Sequence, residues 1–176
     1  MICHPSSVNS IDSKIIKIKD LANEKNIKII SIESCTGGLL AASLTSIAGS
    51  SGFFEGAIVA YATDLKINLL DIDKDLIANH GVVSEHVALA MSLNAINKFG
   101  KLKNSIAIAT TGITGPDKVE GKDIGLAYIA CTCKINNEFQ NNIVSNIFLG
   151  NDRATIRMHI VLCALDMLIA SLSSEN

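Results

Sequence analysis

The sequence predicts an α/β domain, three layers deep (α/β/α), around a mixed β-sheet. Segments with helical periodicity alternate with short apolar runs rich in β-branched residues. Late in the chain two strand-like segments follow each other across a short polar turn, which calls for an antiparallel hairpin on an otherwise parallel sheet. A chain of 176 residues that is 48% apolar and 18% charged is sufficient for one hydrophobic core.

The elements are expected in the following order. Residues 1–9 are polar and unpatterned and read as a mobile tail, leaving 10–173 as a single domain. Ile11, Ile15, Ile18, Leu21 and Ala22 recur at helical spacing, so a first amphipathic helix runs to about Asn26. Ile27 to Ile32 is a strand, and Leu39 to Leu44 a buried helix. Phe53 to Tyr61 is a second strand, with short helices at Asp64–Leu70 and Asp73–Asn79. Ser84 has the chemistry of an N-cap, with Glu85 in the first turn of a helix running to Lys98 and closed by Gly100. Ser105–Thr111 is the third strand. Ile124–Cys133 and Glu138–Leu149 form the hairpin, and Asp152–Leu172 the last helix. On the hairpin, Cys131 and Cys133 are expected on opposite sides of the sheet, binding no metal.

Composition removes several function classes. Fifteen basic against 17 acidic residues leave a net charge of -2, with no basic stripe for a nucleic-acid backbone. The five cysteines contain no C-x-x-C pair and the four histidines no metal-ligand spacing. Neither a disulfide framework nor a structural metal fits, and no cofactor is called for; a reducing, cytoplasmic setting does fit. The uncharged run 36–54 is broken by glycines and hydroxyl residues, and the apolar stretch 158–172 carries His159 and Asp166. Neither reads as a membrane span. The N-terminus has no apolar signal-peptide core.

Four segments carry candidate chemistry. Ser34-Cys35-Thr36-Gly37-Gly38 joins a strand to a helix, where backbone N–H groups and the positive dipole end favour an anion. A plain capped turn explains the same residues equally well. Cys35, at the same helix start, is the rival nucleophile to Ser34. Tyr61 and Lys66 flank the end of the second strand, and a lysine there can serve a serine as base once burial lowers its pKa; a solvated lysine is the ordinary alternative. Thr111-Gly112-Ile113-Thr114-Gly115-Pro116 is a third strand end running into a glycine turn, and ligands of open α/β sheets collect at such carboxyl ends. Arg153 and Arg157, the chain's two arginines, lie four apart on one helix face. They suit a carboxylate or phosphate, or else a structural ion pair with Asp152, Glu33 or Glu55.

Glu33 to Gly38, Gly49-Ser-Ser51 with Phe54, Tyr61 to Lys66, His80 to Ser84, Thr111 to Pro116, Lys122 to Gly125, and Asp152-Arg153 with Arg157 together resemble the CinA C-terminal domain family, over residues 10–172. The stand-alone members of that family are nicotinamide-nucleotide amidohydrolases. The resemblance implies hydrolysis of the carboxamide of nicotinamide mononucleotide to nicotinate mononucleotide and ammonia. It places the serine of the family's E-S-C-T-G-G motif at Ser34, the tyrosine and lysine of its Y-S-N-x-x-K motif at Tyr61 and Lys66, the threonine of T-G-I-A-G-P at Thr111, and the arginine of G-D-R at Arg153. It also implies a homodimer and a complete stand-alone domain.

The expected mechanism has Ser34 attack the carbonyl after neutral Lys66 takes its proton, with the Tyr61 side chain orienting Lys66 or relaying the proton. Backbone N–H groups at Thr36, Gly37 and Gly38, with Thr111 and Gly112, would bind the substrate and its oxyanion. Arg153 would meet the phosphate, with Arg157 and Lys122 as weaker candidates. Two alternatives stand beside this: a Cys35-dependent hydrolase, and a nucleotide-binding or regulatory relative without turnover. The second is motivated by the Asp117–Asp123 loop, which departs from the family pattern.

Overall fold

The computed structural model describes residues 8–99, 104–150 and 152–174. Among these residues six α-helices and five strands occur in the order α1 (Val8–Glu24), β1 (Lys28–Glu33), α2 (Leu39–Leu44), β2 (Phe54–Val59), α3 (Thr63–Leu70), α4 (Lys74–His80), α5 (Glu85–Phe99), β3 (Ser105–Gly112), β4 (Leu126–Ile135), β5 (Glu138–Ile147) and α6 (Arg153–Ser173). The expected tail at 1–9 lies outside the described residues up to position 7, and α1 already begins at Val8. The glycine expected to close α5, Gly100, also lies outside them.

The five strands form one mixed sheet in the order β2-β1-β3-β4-β5. β1 runs parallel to β2 and β3, while β3–β4 and β4–β5 are antiparallel. Alternation along each strand divides the core in two. Ile29, Ile106, Ile108 and Ile129 face α1, α2 and α6, packing on Ile15, Ile18, Leu40 and Ile160. Ile30, Ile32, Ala107 and Ala109 face the other way, onto Leu70, Val87, Met91 and Ile96 of α3 and α5. This is the α/β/α layering the periodicity predicts.

Local chemistry fixes the element ends. The Ser84 hydroxyl accepts from Val87 N–H at 3.2 Å, as an N-cap should, and Asp73 and Asp152 cap α4 and α6 in the same way. The hairpin pairs Ile135 with Glu138. Its two turn residues, Asn136 and Asn137, both have positive φ (51° and 71°), the geometry of a tight turn that matches strand twist. α6 is long and apolar enough to cross a bilayer, but Ile156, Ile160, Val161, Leu165 and Leu168 are buried against α1 and the sheet.

One expectation is corrected. Cys131 and Cys133 were placed on opposite faces, yet both belong to the core on the α6 side. Strand side chains alternate with period two, so residues two apart share a face.

Candidate functional site

The carboxyl ends of β1, β2 and β3 lie level. Glu33, the last residue of β1, pairs with Val59 on one side and Thr110 on the other. Each chain segment leaving that edge therefore starts from the same place. Ser34 follows β1, Tyr61 follows β2, and Thr111 to Pro116 end and follow β3. A cavity of about 390 Å³ opens there. Ser34, Cys35, Tyr61, Thr111, Thr114 and Arg153 are in its lining. Val82, Val83, Ile113 and Val119 supply an apolar wall.

Lys66 lies in the middle of α3, two residues past the first turn's Asp64, and its side chain is fully buried. Its Nζ donates to Ser34 Oγ at 2.9 Å, to the Ala60 carbonyl at 2.8 Å and to the Tyr61 carbonyl at 3.0 Å. Among the described residues no carboxylate pairs with it. Burial disfavours the ammonium form, and the pKa falls from 10.5 to about 8. The Cys35 thiol responds to the same surroundings in the opposite sense. Burial pushes its pKa up to about 12, so at neutral pH it is a protonated thiol. Two adjacent residues thus differ sharply: Ser34 has a base within hydrogen-bond reach, while Cys35 is held inert.

The turn after Ser34 is clamped from two sides. Glu33 is fully buried, and its carboxylate accepts from the N–H groups of Gly38 (2.9 Å), Leu40 (3.1 Å) and Ala41 (2.8 Å) and from the Ser31 hydroxyl (3.3 Å). It is the anion at the start of α2. Arg157 donates to the Thr36 carbonyl through Nε at 3.1 Å and through a terminal nitrogen. Gly37 lies against that guanidinium: a Cβ there would come within 3.4 Å of it, and φ is +58°.

This arrangement corrects part of the sequence reading. Thr36, Gly37 and Gly38 were expected to present N–H groups to a ligand. Instead Gly37 N–H donates to the Ser34 carbonyl, Gly38 N–H to Glu33, and the Thr36 hydroxyl pairs with that of Thr110. None of the three lines the cavity. Of the two alternatives the sequence leaves open there, an outside anion or a capped turn, the structure has a capped turn, with the Glu33 carboxylate rather than Ser34 or Thr36 as the acceptor.

Tyr61 is also placed differently. Its backbone carbonyl, and not its phenol, meets Lys66. Tyr61 is 55% exposed, and its phenol oxygen accepts from Arg153 at 2.6 Å. Thr111 and Gly112 do line the cavity, but the Thr111 hydroxyl donates to the Val82 carbonyl at 3.1 Å. Gly112 is glycine because β4 passes so close: a Cβ would lie 2.6 Å from that of Ala127.

The two arginines separate. Arg153 lines the cavity mouth, donating to Tyr61 Oη and to the Gly115 carbonyl at 2.5 Å. Arg157 reaches behind the serine turn. Among the described residues neither arginine forms an ion pair with Asp152, Glu33 or Glu55: Asp152 caps α6 on Thr155, and Glu33 caps α2. Lys122 is likewise committed, donating to the carbonyls of His80 and Val83 at 3.0 and 2.7 Å. It ties the 117–123 loop to the cavity wall.

Sequence reasoning missed the wall residues Val82, Val83 and Val119 and the clamping role of Glu33. A carboxylate at a strand end, five residues before a helix opening on Gly-Gly, was the available signal for Glu33.

A family model of the CinA C-terminal domain matches residues 12–172. A CinA-like protein of Mycobacterium sp. (strain JLS) is 37% identical over 166 residues, 94% of this chain and 38% of that protein. One from Prochlorococcus marinus (strain MIT 9215) is 39% identical over 158 residues, 89% of this chain and 35% of that protein. The chain therefore spans little more than a third of the length of these curated relatives. Among solved structures, the competence/damage inducible protein CihA from Agrobacterium tumefaciens superposes with a TM-score of 0.83 at 31% identity, covering 99% of this chain and 100% of that one. A CinA superfamily protein from Escherichia coli superposes with a TM-score of 0.85 at 26% identity, covering 96% and 94%.

Proposed function

The chain belongs to the CinA C-terminal domain family, and from that premise we propose that it is an amidohydrolase that cleaves the carboxamide of nicotinamide mononucleotide, with Ser34 as nucleophile. One observation carries the reading: Ser34 Oγ lies 2.9 Å from the Nζ of a fully buried lysine, at the floor of a cavity.

The hydrogen bonds of Lys66 supply the base. In the neutral amine two N–H groups remain, and two backbone carbonyls, of Ala60 and Tyr61, are in place to take them. The lone pair is then left facing Ser34 Oγ. With a pKa of about 8, about a quarter of the lysine is neutral at pH 7.5. Ser34 gives its proton to Lys66 as Oγ attacks the amide carbon, and lysinium returns a proton to the departing nitrogen, which leaves as ammonia. Water then attacks the acyl-enzyme with the same base assisting. The acid is released and Ser34 Oγ recovers its proton.

The apolar wall of Val82, Val83, Ile113 and Val119 suits a flat aromatic ring. Arg153, at the mouth, keeps guanidinium donors beyond the two used on Tyr61 and Gly115, which suits a phosphate.

The experiment is ammonia release from nicotinamide mononucleotide by wild type and Ser34→Ala, with calorimetric binding of the mononucleotide to both. The expected result is release by wild type only, with binding retained in the variant. Binding without ammonia from wild type would overturn the amidase reading in favour of a ligand-binding relative.

A further inference from the structure

Stabilising charge on the amide oxygen requires a hydrogen-bond donor in the cavity that is not already used within the protein. Several of the donors expected from the sequence are already used, or belong to residues outside the cavity lining. The N–H groups of Gly37 and Gly38 are bonded internally, and the Thr111 hydroxyl donates to Val82. Tyr61 Oη accepts from Arg153, and the residue is 55% exposed, so its hydroxyl is open to water. Thr63 lines the cavity but is only half-buried.

Thr114 is different. It lines the cavity and is 4% exposed, yet among the described residues its hydroxyl has no hydrogen-bond partner in the protein. Buried hydroxyls are rarely left so, because desolvating one without a partner is costly. The backbone around it is fixed on both sides. Ile113 N–H donates to the Leu126 carbonyl and Gly125 N–H to the Ile113 carbonyl, each within 2.8 Å. On the other side Arg153 holds the Gly115 carbonyl. A donor held this way need not reorganise as charge develops.

We infer that Thr114 is a substrate-contacting residue whose hydroxyl donates a hydrogen bond to the carbonyl oxygen of the scissile carboxamide. This rests on the amidase reading. In the tetrahedral adduct the same oxygen carries negative charge, so the bond strengthens as the reaction proceeds.

The test compares wild type, Thr114→Val and Thr114→Ser in steady-state ammonia release from nicotinamide mononucleotide, with a thermal melt of each. Valine keeps the shape and removes the donor; serine keeps the donor. The expected result is a loss of about tenfold in kcat/KM for Thr114→Val, falling mainly on kcat, with Thr114→Ser within about threefold of wild type. Should the valine variant fail to fold, Thr114→Ala carries the same comparison. Unchanged kinetics in the variant lacking the hydroxyl, or an equal loss in Thr114→Ser, would overturn the inference while leaving the amidase reading intact. A wild type that releases no ammonia would overturn both.

Discussion

Lys66 should make both activity and stability depend on pH, each with a sign fixed by its burial. Its pKa lies at about 8 in the folded protein against an ordinary 10.5. Between those values the unfolded chain binds the proton that the folded chain has released, so stability rises with pH through this window. Below about pH 8 both states are protonated and the gain is gone. The full difference corresponds to about 3 kcal/mol. Most of it appears late: about 0.1 kcal/mol at pH 7, about 0.4 at pH 8 and about 1.4 at pH 9. The assay is urea unfolding of wild type and Lys66→Met at those three pH values. Taking the difference between the two proteins cancels the groups they share. Wild type should gain about 1.3 kcal/mol on the variant between pH 7 and pH 9. In parallel, kcat/KM of wild type should rise tenfold per pH unit well below the pKa and level off above about pH 8, because only the neutral amine accepts the serine proton. Unfolding free energies of the two proteins that run parallel with pH would refute the account of Lys66 as a group titrated down by burial. A flat rate profile would refute its role as base.

Two further expectations concern its neighbours. Cys35→Ser should keep ammonia release within about threefold of wild type, since a thiol held protonated up to about pH 12 is not the nucleophile; complete loss of release would restore Cys35 as the rival. Glu33→Gln should destabilise the fold by about 3 kcal/mol, a fall of about 6–12 °C in Tm. Whichever oxygen becomes an amide nitrogen, two donors face it: Gly38 and Leu40 N–H, or Ala41 N–H and the Ser31 hydroxyl. An unchanged melting temperature would show that the carboxylate is not needed at the start of α2.

Much of this was legible in the sequence because it is local or periodic. Helical and strand periods mark the elements to within a few residues, since burying one face of an element requires apolar residues at its own repeat. Ser84, Asp73 and Asp152 announce helix starts because capping uses the nearest residues. The strand-end rule points to Ser34, Lys66 and Thr111 at one edge, where the structure has them, because parallel strands carry their following loops to the same side of the sheet; that Arg153 joins them was not part of that rule.

The sequence could not say how each donor in that edge is used. Four residues illustrate this. Glu33 lies next to Ser34 in the chain, but only the folding of α2 back over β1 brings three helical N–H groups onto its carboxylate. Arg157 becomes a clamp on Thr36, 121 residues away, because α6 packs against α2 on one face of the sheet. The Tyr61 phenol turns to Arg153 because its carbonyl, not its ring, faces Lys66. Thr114 stands out because its neighbours found partners and, among the described residues, its hydroxyl did not. The sequence alone determined which elements form and which strand ends meet, through rules that act within a turn or along one strand. The tertiary structure decided which polar groups are spent and which remain for a substrate, because every buried donor seeks the nearest acceptor in space, whatever its distance along the chain.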